Sequence, residues 1–240
     1  MFKSLCMFLC LTFLVIGAYG NCEFIDKCLW SDKACLLASS RKALPKFVAG
    51  IPELGVPSFE PLIMDKTLKV DEGGLKLAFK DMKLTGLSKC TILNVERDSK
   101  KSYIQVEVEC PINVHGTYEA SGTLILTPVE GNGPFQVETK KAYISVKVYT
   151  TLKEGSNGEK HYKLGKFDHT HEFKEKVHMK FENLYNGDQE KAAPINQILD
   201  QNWKELVTLG DPIVIELLKH VVHGCEEMFK HCLASEIELE

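Results

Sequence analysis

The chain has 240 residues, 44% of them hydrophobic and 26% charged, with a formal net charge of −4. This balance suits a globular protein with a substantial core and excludes a disordered chain or a membrane channel. No Lys or Arg cluster stands free of nearby Asp and Glu, which argues against nucleic acid and anionic membranes as partners.

Lys3, the apolar run from Leu5 to Ile16, and Ala18, Tyr19 and Gly20 read as a secretory signal peptide, residues 1–20, cut after Gly20. A bilayer span takes about 20 apolar residues, so the run is too short and no integral membrane association is expected. Residues 21–240 contain no Pro, Gly or Ser-rich linker and read as one domain. Cys6 and Cys10 leave with the signal peptide, so seven cysteines remain: Cys22, Cys28, Cys35, Cys90, Cys110, Cys225 and Cys232. An odd number leaves at least one thiol free or bonded to another chain. No Asn-x-Ser/Thr acceptor is present, so N-glycosylation is not expected.

A helix is expected from Ser31, with Ser31 as its cap and Leu37, Leu44, Phe47 and Val48 at helical spacing, kinked at Pro45. Gly50, Pro52, Gly55, Pro57 and Pro61 then make an extended connector. Residues 62–185 alternate apolar and polar positions with period two. Leu75, Leu77 and Phe79 share a face; so do Ile104, Val106, Val108 and Cys110, then Ala142, Ile144, Val146 and Val148, then Val177, Met179 and Phe181. That is the pattern of a sheet wet on one side. Turns are expected at Asp98 to Lys101, Gly131 to Pro134, and Asn157 with Gly158. Lys100 with Lys101, and Lys140 with Lys141, read as solvated turns. After Pro194 the period becomes helical, and a second helix over residues 212–231, opened by Asp211 and Pro212, carries one apolar stripe. The fold class is α+β: a highly curved antiparallel sheet wrapped around a long C-terminal helix.

Three segments carry a family resemblance. They are the pair Cys28 and Cys35 with the run ALPKFVAGIPELGVPSFEPL (residues 43–62), GLKLAFKDMKLTGL (74–87), and NQILDQNWKELVTLGDPIVIELL (196–218). The chain resembles the takeout and juvenile-hormone-binding protein family of insects. The resemblance implies a single tubular lipid-binding module, extracellular transport of a small hydrophobic ligand, and a disulfide between Cys28 and Cys35. Two departures stand out. Typical juvenile-hormone binders join a late strand to the C-terminal helical region by a second disulfide, and the matching strand position here is His171. That non-cysteine favours the broader takeout branch, while the cysteines at 90, 110, 225 and 232 fall outside the takeout pattern.

A symmetric register about residue 100 sets Cys90 opposite Cys110 at bridging distance but separates Val95 from Val106; a bulge reconciles them, and two buried thiols are the alternative. Cys225 and Cys232 are too far apart along one helix to pair; either meets Cys22, or both are small apolar core groups. His169 with His171 and His220 with His223 lack a third ligand near in sequence, so no metal site is assigned. No nucleophile elbow, His-Glu-x-x-His helix, phosphate loop or dinucleotide fingerprint is present, so no catalytic residue and no cofactor are assigned.

The expected function is that of a secreted, non-enzymatic, monomeric carrier of one small hydrophobic ligand. Phe47, Val146, Val148, Leu217, Leu218, Val221 and Val222 are its expected tunnel lining, and Tyr149, Thr150 and Thr151 its polar contacts. The helix with Pro45 and the connector after it form the expected gate. The alternatives are a secreted interaction protein with a filled core and a hydrolase of lipid esters using a non-local triad.

Overall fold

Two very long strands organise the computed structural model, which describes residues 22–155 and 158–239. The expected signal peptide, and Asn157 of the expected turn at 157–158, lie outside the described residues. The chain enters through a helix, α1 (Lys33–Ala49), and eight strands follow: β1 (Leu62–Met64), β2 (Leu68–Glu72), β3 (Leu75–Thr85), β4 (Thr91–Asp98), β5 (Tyr103–Leu124), β6 (Thr127–Glu154), β7 (Lys160–Phe173) and β8 (His178–Phe181). Four helices close it: α2 (Gln189–Gln201), α3 (Trp203–Leu206), α4 (Asp211–His231) and α5 (Ala234–Ile237).

β5 and β6 form a hairpin of 22 and 28 residues that runs the length of the sheet. On its β5 side, β4 pairs with one half and β3 with the other; on its β6 side, β7 takes one half and β8 the other. All pairs are antiparallel, and β1 and β2 extend β3. Irregularities in register bend the ribbon. At one of them Pro111, which has no N–H to give to a ladder, lies opposite Lys140 and Lys141. This extra residue reverses the parity of β6, so odd positions Val129 to Thr139 and even positions Ala142 to Val148 both face inward. Lys140 and Lys141 therefore sit in a strand at a bulge, not in a turn.

The expected turn at Gly131 to Pro134 is also strand, within β6, and the reversal falls at Ile125 and Leu126. The bulge that the Cys90–Cys110 pairing needs lies between Ile92 and Asn94; Val95 then pairs with Val106, and Cys90 and Cys110 are joined with their Cα atoms 4.2 Å apart.

Helix boundaries follow local chemistry. α1 is capped by Asp32 rather than Ser31: the Asp32 carboxylate accepts from Cys35 N at 2.9 Å, and the helix runs through Pro45 to Gly50. α2 begins before Pro194, at Asp188, whose carboxylate accepts from Lys191 N. Pro194 lies inside it. α4 has Pro212 in its first turn and spans about 30 Å. No helix of the described residues is long and apolar enough to cross a membrane.

The first and last segments of the described residues meet. Cys22 is joined to Cys232 and Cys28 to Cys35. Cys28 and Glu238 form a parallel bridge in which Cys28 N donates to Ile237 O at 3.3 Å and Leu239 N to Cys28 O at 3.0 Å. Of the two partners expected for Cys22, Cys232 is the one used; Cys225 remains a thiol.

Candidate functional site

The concave sheet and α4 enclose two apolar chambers. The smaller, about 140 Å³, lies beneath β3, β8 and the helices before α4, with Phe79, Val114, Phe181, Ile195 and Leu209 on its wall. The larger, about 350 Å³, lies between α1, the inner faces of β4 to β7, and α4. Ile144 of β6 and Leu217 of α4 belong to both walls and mark where the chambers adjoin.

Period two delivers the larger wall from the strands. Ile104, Val106 and Val108 of β5 pair with Val148, Val146 and Ile144 of β6, each pair on the inner face. Helical spacing delivers the floor, because Leu217, Leu218, Val221, Val222 and Cys225 recur every one to four residues along α4. Phe47 near the end of α1 stacks on Phe59 of the connector, centroids 5.0 Å apart, and the two rings lie over Gly224, the α4 position where a side chain would collide with them.

All seven expected lining residues, Phe47, Val146, Val148, Leu217, Leu218, Val221 and Val222, are on this wall. Tyr149 is not. Alternation along β6 turns it outward next to inward Val148, and its hydroxyl donates to Asp168 Oδ2 at 3.0 Å. Thr150 is buried but on neither chamber wall, and Thr151 is exposed. The smaller chamber was not foreseen, although its wall residues on β3 and β8 carry the same alternation.

Polar groups at the larger chamber are few. Ser39 is buried, and its hydroxyl donates to Asp26 O at 3.3 Å and accepts from Asp26 N at 2.9 Å. Cys225 lines the chamber, and burial pushes its thiol up to about 12. At one end Arg97 lies between the rings of Trp30 and Tyr162 and donates to Glu238. Burial lowers the Arg97 pKa against the opposing pull of Tyr162 and Glu238. Sequence reasoning missed Arg97; the parity of β4 beyond its bulge was the signal.

His171 lies on the wall of the smaller chamber, with its Nε2 3.3 Å from Asp211 Oδ1 at the start of α4. His169 stacks parallel to His171, centroids 6.0 Å apart. Among the described residues, no three His, Cys, Asp or Glu side chains converge as a metal site would require.

Comparison with known proteins agrees with this architecture. The chain is 24% identical over 205 residues to the circadian clock-controlled protein daywake of Drosophila melanogaster, covering 80% of this chain and 78% of that protein. It is 24% identical over 143 residues to the juvenile hormone-binding protein of Manduca sexta, covering 58% of this chain and 61% of that protein. The crystal structure of Epiphyas postvittana Takeout 1 superposes with a TM-score of 0.86 at 29% identity, covering 90% of this chain and all of that one. A family model described as haemolymph juvenile hormone binding protein matches residues 6–237, and the chain belongs to that family.

Proposed function

We propose that the protein is a secreted, monomeric, non-enzymatic carrier that holds one small hydrophobic ligand, seated chiefly in the chamber beneath α1. The observation that carries this reading is the chamber itself, a cavity of about 350 Å³ walled almost wholly by hydrocarbon between the sheet and α4. Burial of a hydrocarbon ligand there yields about 0.8 kcal/mol per methylene, which after the cost of immobilisation supports micromolar to nanomolar affinity. Three disulfides among the described residues suit an extracellular site of action after removal of residues 1–20. Membership of a family of binding proteins supports the absence of catalysis. Entry and release pass between α1 and the connector, which the Phe47–Phe59 stack holds together.

The test is native mass spectrometry of the secreted protein, with organic extraction of what it carries. A stoichiometric hydrophobic molecule, together with a monomer mass, is the expected result. Val221→Glu puts an unpaired charge on the chamber wall and should abolish lipid uptake or folding. An empty wild-type protein that takes up no lipid, or wild-type affinity in Val221→Glu, overturns the reading.

A further inference from the structure

The β5–β6 hairpin ends in two exposed apolar side chains. Ile125 and Leu126 form its turn at φ 44° and 64°, with Leu126 94% and Ile125 47% exposed. Neither feature favours the protein alone in water: the backbone is strained for residues of this shape, and the exposed hydrocarbon gains nothing from the solvent. Strain that packing does not offset gathers at functional positions.

The end of the hairpin is uncharged. Ala120 to Val129 is a run of ten residues without Asp, Glu, Lys or Arg. Past the Leu75–Gly122 pair, β5 and β6 ladder only with each other, so Thr123 to Pro128 stand beyond the end of β3. The neighbouring Gly73–Gly74 turn adds no side chain; Thr123 N donates to Gly74 O at 3.2 Å, and the Tyr185 hydroxyl donates to Pro128 O. Leu124 and Val129 are buried on the wall of the smaller chamber, which leaves Ile125 and Leu126 as its outer tip. Charge begins at the third and fourth rungs from the turn, where Glu72 and then Asp71, Lys76 and Glu130 are exposed and net negative.

Two side chains fall far short of the roughly 800 Å² per partner that a stable protein interface buries. Fluid hydrocarbon needs neither that area nor a matching shape. Burying the pair in it favours contact by roughly a hundredfold, far less than one myristoyl chain provides, so the contact is brief. The acidic rungs behind the turn set it against anionic lipid.

We infer that the β5–β6 turn is a lipid-surface contact, with Ile125 and Leu126 entering a bilayer of zwitterionic lipid. The contact needs no ligand in either chamber, so it stands or falls separately from the carrier reading.

The test mixes the secreted protein with sucrose-loaded phosphatidylcholine vesicles at millimolar lipid and measures the fraction that sediments with them. That fraction should rise with lipid concentration. Ile125→Asn with Leu126→Gly keeps the turn, with residues that prefer it, and should weaken association by about a hundredfold. Leu126→Trp should tighten it several-fold, because an indole ring favours the membrane interface. Replacing part of the phosphatidylcholine with phosphatidylserine should weaken it. No association of the wild type, undiminished association of the double variant, or tighter binding to the phosphatidylserine vesicles overturns the inference. So does a concentration-dependent dimer that the double variant abolishes, seen by analytical ultracentrifugation, which would assign the turn to a second copy. The double variant relieves backbone strain, so its loss of contact is not a loss of fold, and a thermal melt followed by circular dichroism verifies this.

Discussion

Ile125 and Leu126 reverse the chain between β5 and β6 at φ 44° and 64°, a region that Asn and Gly adopt at far less cost than β-branched or bulky residues. Leu126 is 94% exposed, so packing returns little for that strain. Replacing the pair with Asn-Gly should stabilise the protein by about 1 kcal/mol, seen as a thermal midpoint a few degrees higher; an unchanged midpoint would show that the turn is relaxed as it stands. Cys225 gives a second reading at this scale. Its buried thiol is pushed up to about 12, so the fold favours the neutral form and the reactive thiolate is scarce at neutral pH. Alkylation by a small maleimide should be slow at neutral pH, accelerate as pH rises toward that value, and be blocked by a lipid in the chamber that Cys225 lines. Fast neutral-pH labelling that lipid does not affect would remove Cys225 from the ligand's path.

Gly224 tests how α4 meets its lid. Alanine is the better helix former by about 1 kcal/mol, but a Cβ here would lie 2.5 Å from Phe59 Cζ and 3.4 Å from Phe47 Cζ. Overpacking costs about 1–3 kcal/mol, so Gly224→Ala should be net destabilising by up to about 2 kcal/mol, measured as a lower urea midpoint, with weaker ligand retention as the stacked rings are displaced. The same elements show what the sequence discloses. Faces of β5 and β6 were legible because alternation is a strong signal where one side of a sheet is dry. The reversal at Ile125 and Leu126 was not, since it lacks turn chemistry. Gly131 and Gly133 imitated a turn but serve close approach: a Cβ on Gly131 would sit 2.7 Å from the Tyr118 hydroxyl and 3.0 Å from Leu184 Cα. Tyr149 was misplaced and Arg97 missed for one reason, the face of a strand residue. Tyr149 follows inward Val148 and so faces out, whereas Arg97 faces in only because one extra residue precedes it in β4.

The larger chamber is closed where the first and last described segments meet. The N-terminal arm reaches the tail through the Cys22–Cys232 bond, the Cys28–Glu238 bridge and the hydrogen bond from Trp30 Nε1 to Glu238. Only the first is covalent. In the chain-entropy account, a bond closing a loop with a separation of 210 residues restrains the unfolded chain by about 5 kcal/mol. A bond so near the N-terminus also guards against something smaller than global unfolding, the peeling of arm from tail while the sheet and α4 persist. Replacing Cys22 and Cys232 together with Ala should therefore act on two observables separately. The thermal midpoint should fall, while bound lipid should dissociate at an unchanged rate at temperatures well below that midpoint, because release passes between α1 and its connector and not through the joined ends. Dissociation is measured by exchanging a bound lipid for its deuterated form and following the mass shift. A several-fold faster exchange would instead locate the exit at the joined ends, where Arg97, Trp30 and Glu238 part once the covalent tie is gone.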